Sequence, residues 1–388
     1  MALRGTNQEF GGPYNRRIVL EAIRLHGPTT RRDIARRVGL TVQTVSTIVR
    51  ELEEGGYVLS ARAEPKKRGL PPATLSINPG GGYAVGIHVT PIGIDAALVD
   101  LSGEVVASGR REAPNPTPDH AFEQIGNLVS ELAGMKAGQR ILGIGLALPG
   151  PFGVEKMSFI GPTTMAGWND VALAERLSDS TGLPAFLETD MAAAALGERL
   201  YGLGAGFSDY YYLYFGVGLG GVMVHDGIVL RGAWGNAGEI GHIPLVAGGE
   251  PCPCGNRGCL ERYLSLEAYG RSGRSEADWV KEVTPAFHAA ITIIENLFDP
   301  ETVILGGLAP ESLLERLAEA AQRLPNSVSA RGDRTAPRIT VAHGGPHAVL
   351  RGAAALAVSG VLSPRFGRMF ATGRERDNDV LRGKGMAA

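Results

Sequence analysis

Cysteine is almost missing from this 388-residue chain: there are three, and all of them fall within residues 252–259. So few thiols exclude a disulfide-stapled secreted scaffold, and pairing two would strand the third. Long apolar runs are missing as well. The longest uncharged stretch near the end, Gly352 to Ser363, is too short and too rich in Ala and Gly to cross a bilayer. No charged-then-apolar leader opens the sequence. These absences predict a cytoplasmic protein with no membrane role. Net charge, at −2, is nearly absent too, but it is unevenly spread. Residues 1–80 carry 13 Lys+Arg against 7 Asp+Glu, a net of +6, which leaves −8 for residues 81–388. A small basic module is joined to a large acidic one, within the two or three domains expected at this length.

In the basic module, Ile18, Val19, Ala22, Ile23 and Leu25 follow a helical period that ends at Gly27-Pro28. A second helix should start at a cap, Thr29 or Thr30, carry Arg31 and Arg32 in its first turn, and stop at Gly39. Thr41 should cap a third, with Val45, Ile48, Val49 and Leu52 inward and Gln43, Thr44, Thr47 and Arg50 outward. Short polar side chains on such a helix suit base edges and phosphates in a major groove. After Gly55-Gly56, two β-runs flank the basic stretch Lys66-Lys67-Arg68, a hairpin whose charged tip can neutralise phosphates. Helix spacing, turn and wing together predict a winged helix-turn-helix that binds double-stranded DNA. The alternatives are a protein-binding three-helix domain or a solvated charge run. Gly80-Gly81-Gly82 after Asn78-Pro79 marks a linker.

Beyond it, the runs Tyr83 to Val89, Gly93 to Asp100 and Glu104 to Gly109 read as an antiparallel meander. A helix over about Ala121 to Ala137, a strand Ile141 to Ala147, and further strands at Ala185 to Glu188, Tyr210 to Phe215 and Thr302 to Leu305 predict an α/β fold with mixed sheets. The glycine-rich run Gly216 to Gly221 after a strand fits a phosphate loop or an ordinary hairpin equally. Asp190, at a strand end and helix start, is placed to accept a hydroxyl proton or merely to cap the helix.

The three cysteines occur as Cys252-Pro-Cys254-Gly-Asn-Arg-Gly-Cys259, with His242 ten residues before Cys252 in Gly-Glu-Ile-Gly-His. Three thiolates and one imidazole meet the tetrahedral preference of Zn²⁺, and four protein ligands make the metal structural. If one ring nitrogen of His242 ligates zinc, the other is fixed in direction toward a ligand hydroxyl. Glu239 and Glu261 flank the loop, either as acceptors for sugar hydroxyls or as partners of the metal ligands.

Gly235-Asn-Ala-Gly-Glu-Ile-Gly-His242, the loop Cys252 to Cys259 with Leu260-Glu261, Leu148-Pro-Gly-Pro151 and Ile304-Leu-Gly-Gly307 together resemble the ROK family of repressors and sugar kinases. The N-terminal winged helix resembles its repressor branch, which includes xylose and N-acetylglucosamine regulators. The resemblance implies a winged helix-turn-helix domain over 1–79, followed by a two-lobed, actin-like (ribonuclease H-like) α/β domain. Its first lobe would span 80–200, completed by a C-terminal helix over 345–363; the second, with the zinc loop, would span 201–344, and 364–388 would be a disordered tail. Asp190 matches the catalytic base of the kinases, and Glu239, His242 and Glu261 match their sugar ligands. Thr189 stands where the family usually has a sugar-binding asparagine. Kinases of the family read Asp-x-Gly-Gly-Thr in the first hairpin, where this chain reads His88-Val89-Thr90-Pro91-Ile92. The metal-organising carboxylate is gone and Pro91 removes a backbone donor. The expectation is a regulator, not an enzyme: a homodimer or homotetramer that binds operator DNA and responds to a sugar in a cleft no longer fit for phosphoryl transfer. A bifunctional sugar kinase with a DNA-binding arm, and a regulator controlled by a docked protein, are the competing readings.

Overall fold

The computed structural model describes residues 11–61, 73–150, 167–168, 172–233, 235–329 and 331–362. The chain divides into two compact units: the part up to Gly81 with the part from Ala357 on, and Gly82–Leu356.

In the first unit, α1 (Gly11–His26) leads into the two-residue strand β1 (Thr29–Thr30), α2 (Arg31–Val38), α3 (Val42–Glu54) and the strands β2 (Val58–Ala61) and β3 (Thr74–Ile77). The start of α2 is fixed by Thr30, whose hydroxyl accepts the Asp33 N–H at 3.2 Å; its end is fixed by Gly39 in the left-handed region at φ 68°. Thr29 is not the cap, because it pairs with Leu75 across a sheet of order β1-β3-β2. Thr41 caps α3 by accepting the Thr44 N–H at 3.1 Å. Ile18, Ile23, Ile34, Val45, Val49, Leu52 and Leu75 close one core, so the helical period read from the sequence is the buried face. Leu25 is only half-buried and Leu20 is buried in its place. Lys66, Lys67 and Arg68 lie outside the described residues, as do Pro151 and the tail expected over 364–388.

The second unit holds two five-stranded sheets. The meander β4 (Tyr83–Thr90), β5 (Gly93–Asp100) and β6 (Val105–Glu112) is antiparallel, and after α4 (Pro118–Gly134) the strand β7 (Ile141–Leu148) joins β4 in parallel. Then α5 (Leu173–Thr181) leads to β8 (Ala185–Thr189), giving the order β6-β5-β4-β7-β8. After α6 (Asp190–Tyr201) the pattern recurs. The strands β9 (Tyr210–Phe215), β10 (Leu219–His225) and β11 (Ile228–Val229) are antiparallel, and α7 (Leu266–Ser272) and α8 (Glu276–Phe298) follow. The strand β12 (Thr302–Gly307) then pairs in parallel with β9, and beyond α9 (Glu311–Ala320) the strand β13 (Ile339–Val341) completes the order β11-β10-β9-β12-β13. Every residue of β9 is buried, as expected of a central strand covered on both faces.

One apolar cluster joins the first sheet to α4 and α5 through Ile87, Leu98, Ile125 and Leu146; another joins the second sheet to α8 and α9 through Phe215, Phe287, Ile291 and Leu305. The last helix, α10 (Ala348–Leu362), lies close on the first sheet. A Cβ on Gly86 or Gly145 would overlap the backbone at Leu350 or Ala353, so only glycine admits this approach. Helix α6 touches strands of both sheets and crosses α10 where a Cβ on Gly197 would sit 2.9 Å from the Gly352 Cα. This shared helical layer places the N-terminus of α6, and with it Asp190, between the sheets.

Candidate functional site

A cleft in the second unit is lined by His88, Thr90 and Pro91 from the first hairpin, by Asp190, and from the other side by Tyr214, the Val217 to Gly220 turn, Glu239, His242 and Glu261. Its cavity is about 100 Å³. Among the described residues that line it there is no Lys or Arg.

Each polar group arrives by a local device. Thr189, at the end of β8, spends its hydroxyl on the Ala192 N–H at 3.3 Å and is itself the cap of α6. Asp190 is therefore the first helical residue, with Oδ1 taking the Met191 N–H at 2.8 Å and Oδ2 standing 3.9 Å from His88 Nε2. Thr189 is buried behind the cleft wall, its methyl group near Gly150, and in this segment the residues that line the cleft begin at Asp190. The run Gly216 to Gly221 is a hairpin turn, Leu219 pairing with Phe215, and its backbone forms one wall. Glu239 and His242 ride on a 3₁₀ turn at Ile240–His242 laid flush on β10; Gly238, at φ 100°, and Gly241 permit it, since a Cβ on either would overlap the backbone of Gly221 or Leu219. Glu261 projects from a second 3₁₀ turn, Leu260–Arg262.

Burial pushes the Asp190 carboxyl up to about 6, against the pull of the Met191 N–H and the neighbouring Tyr214 hydroxyl. Burial pushes the His88 imidazole down to about 4, so at neutral pH it is uncharged beside an ionised Asp190. Glu239 rises to about 7 through burial first and then through the charges of Glu261 and Asp190. Acceptors and one neutral imidazole thus converge on a small polar cavity, an arrangement that recognises hydroxyls. At the turn of the first hairpin Pro91 has no N–H, and the Ile92 N–H is taken by Thr90 Oγ1 at 3.3 Å.

His242, Cys252, Cys254 and Cys259 bring their ligand atoms within 4.8 Å of one another. The loop is folded by the Cys252 N–H on the Asn256 carbonyl at 2.8 Å and the Gly258 N–H on the Glu250 carbonyl at 2.7 Å, with Gly255 and Gly258 both at positive φ. Cys252 Sγ is 3.6 Å from His242 Nδ1, and Cys254 Sγ is 3.6 Å from Cys259 Sγ. A tetrahedral ion with sulfur at about 2.3 Å and nitrogen at about 2.0–2.1 Å would hold its ligands roughly 3.5–3.8 Å apart, so the residues present fit a bound metal. Nδ1 of His242 faces the thiols while Nε2 lies 4.0 Å from Glu239, toward the cleft. Glu261 Oε1 is 3.5 Å from both Nδ1 and Cys252 Sγ, and so touches the cluster as well as the cleft.

In the first unit, Gln43, Thr47 and Arg50 are exposed on α3, as is Thr41 at its cap; Thr44 is half-buried and bonded to the Thr41 hydroxyl at 2.8 Å. Arg32 is exposed, whereas Arg31 is half-buried and 3.3 Å from Glu53. A groove on this face adds two residues that the sequence did not single out, Arg16 and Glu51, paired at 2.6 Å beside Gln43, Thr44 and Thr47. They are 35 positions apart, and no local pattern connects them.

Residues 84–285 match the family model described as ROK family, and residues 14–58 match that of a winged helix-turn-helix DNA-binding domain. The chain is 31% identical over 351 residues to a xylose repressor of Caldicellulosiruptor bescii, covering 79% of this chain and 86% of that one. Among solved structures it is similar to a ROK family transcriptional regulator described as a homolog of the E. coli MLC protein, with a TM-score of 0.69, 25% identity, and 92% and 98% of the two chains covered. It is also similar to a ROK family glucokinase from Streptomyces griseus in complex with glucose and AMPPNP, with a TM-score of 0.59, 25% identity, and 72% and 100% covered. Sequence motif, fold and site geometry meet in one conclusion: this chain belongs to the ROK family, in the form that joins the family domain to a winged helix-turn-helix.

Proposed function

We propose that this protein is a sugar-responsive transcriptional repressor in which the cleft is a receptor and the winged helix the DNA-binding element. One observation carries the reading: the cleft offers Asp190, Glu239, Glu261 and two imidazoles to hydroxyls, while its first hairpin, His88 to Ile92, has no carboxylate for Mg²⁺ and at its turn no N–H on Pro91 and a bonded one on Ile92. The relatives named xylose repressor make D-xylose the first sugar to test. Gln43, Thr44, Thr47 and Arg50 on α3 are proposed to meet base edges and phosphates, with Arg32, Lys66, Lys67 and Arg68 supplying charge. Zn²⁺ is proposed as the ion of the Cys₃His cluster, a closed site whose contribution is to hold the loop. The chain's own residues do the rest: His242 and Glu261 are oriented from the loop side, Asp190 from α6. Sugar binding shifts the population of a homodimeric or homotetrameric assembly, so that two winged helices no longer match two half-sites.

The test is fluorescence anisotropy of the full chain on DNA from upstream of its own gene, at fixed salt, with and without D-xylose, D-glucose and N-acetyl-D-glucosamine. A sugar-dependent change in affinity of about tenfold, roughly 1.4 kcal/mol of coupling, is expected. DNA binding that no sugar alters would refute the receptor. The likeness to a glucokinase favours a second reading, a kinase with Asp190 as base. Under it, ATP and Mg²⁺ would be consumed with a hexose and Asp190→Asn would abolish turnover with DNA binding intact; we expect no turnover in the parent protein.

A further inference from the structure

His88 has no role in the sugar set read from the sequence, yet it stands inside the cleft. Its Nε2 is buried without a hydrogen-bond partner, 3.9 Å from Asp190 Oδ2, and the buried Tyr214 hydroxyl, in the wall of the same cavity, bears on that same carboxylate. Buried polar atoms are almost always satisfied, and an unsatisfied imidazole nitrogen beside a carboxylate, on residues that line a cavity, leaves a place for a ligand atom. Two atoms 3.9 Å apart can both reach a single hydroxyl oxygen at ordinary hydrogen-bond length. A hydroxyl donates to the carboxylate and still accepts, which serves both neighbours. A phosphate ester is mostly the dianion near neutral pH, with little proton to give Asp190, and it would add negative charge to a cavity already lined by Asp190, Glu239 and Glu261.

We propose that His88 and Tyr214, acting with Asp190, form the specificity-determining end of the cleft, which selects a free, uncharged monosaccharide through one hydroxyl and rejects its phosphate ester. The assignment rests on the receptor reading above. Its test is titration calorimetry of the full chain, without DNA, with D-xylose, D-glucose and N-acetyl-D-glucosamine, each beside its terminal phosphate ester. The proteins compared are the parent, His88→Ala, Tyr214→Phe and Glu261→Gln, of which Tyr214→Phe removes only a hydroxyl. The parent should bind a free sugar at least about a hundredfold better than its ester, and His88→Ala and Tyr214→Phe should each weaken free-sugar binding about tenfold or more while melting as the parent does. Parent-like sugar affinity in folded His88→Ala and Tyr214→Phe, alongside a loss in Glu261→Gln, overturns this assignment and leaves the receptor standing. An ester that binds as tightly as its sugar overturns it too. Failure of the parent to bind any of the free sugars overturns the receptor and this inference together.

Discussion

His88 and Asp190 face each other with opposite proton preferences, and their consequences for stability oppose as well. The His88 value is lowered from 6.5 to about 4, so its contribution is present above 6.5 and is lost as pH falls toward 4. The Asp190 value is raised from 3.8 to about 6, so its contribution is present below about 4 and is lost as pH rises through 6. Between 4 and 6 the folded pair holds one proton on Asp190 and the unfolded pair holds one on His88, and the net slope nearly vanishes. Single substitutions uncover the halves. Relative to the parent, His88→Asn should gain stability as pH drops from 7.5 to 4.5, by an amount approaching roughly 3 kcal/mol, and Asp190→Asn should lose its advantage over the same range. Urea unfolding of both variants at the two pH values, followed by tryptophan fluorescence, checks this; differences that do not change with pH would contradict it. Neither His88 nor Tyr214 was legible as a ligand-facing residue. Strand alternation says that a side chain is buried, not that it meets a cavity, and His88 stood out only as a departure from a kinase motif.

Elements held by a few polar groups are the next scale. Loss of one thiol from the Cys₃His cluster removes a quarter of its ligands, and Cys254→Ser should leave the purified chain with little bound metal by mass spectrometry and a lower unfolding temperature for the second sheet's lobe. Full metal content in Cys254→Ser would refute the ligand set. Glu295, on α8, is fully buried and grips the segment before β13 through Arg334 at 3.3 Å and Arg338 Nε at 2.8 Å. Glu295→Gln leaves two guanidinium groups without their counter-charge and should cost about 3 kcal/mol or more in urea unfolding, against under about 1 kcal/mol for an exposed pair such as Arg274–Glu282. The meander, β9 and the last helix are legible in the sequence because apolar periodicity and glycine breaks coincide there. Helices α8 and α9 bury continuous apolar faces but carry no chemical motif, and no element is expected there from motifs alone. The site was legible where spacing carried chemistry, in the Cys₃His cluster with Glu239 and Glu261. It is least legible at Thr189, since a threonine before a helix serves as ligand or cap according to which way its hydroxyl turns, and here the hydroxyl accepts the Ala192 N–H.

For the molecule as a whole, the second unit depends on how closely α6 and α10 lie between its sheets. Gly145→Val would drive two methyl groups into the backbone at Ala353, and overpacking against main chain has no side chain to displace. That variant should accumulate as insoluble protein or melt well below the parent, whereas Gly126→Ala, with open space around it on α4, should melt at or slightly above the parent temperature. Differential scanning calorimetry of the two separates close approach from general intolerance of glycine replacement. The same layer sets a limit on movement. Where bare backbone touches bare backbone, as at Gly86, Gly145, Gly197 and Gly352, there is no compressible cushion of side chains. The gauge between the first sheet, α10 and α6 is fixed there. A push on any one of these three layers is therefore passed to the next as movement and is not absorbed as compression.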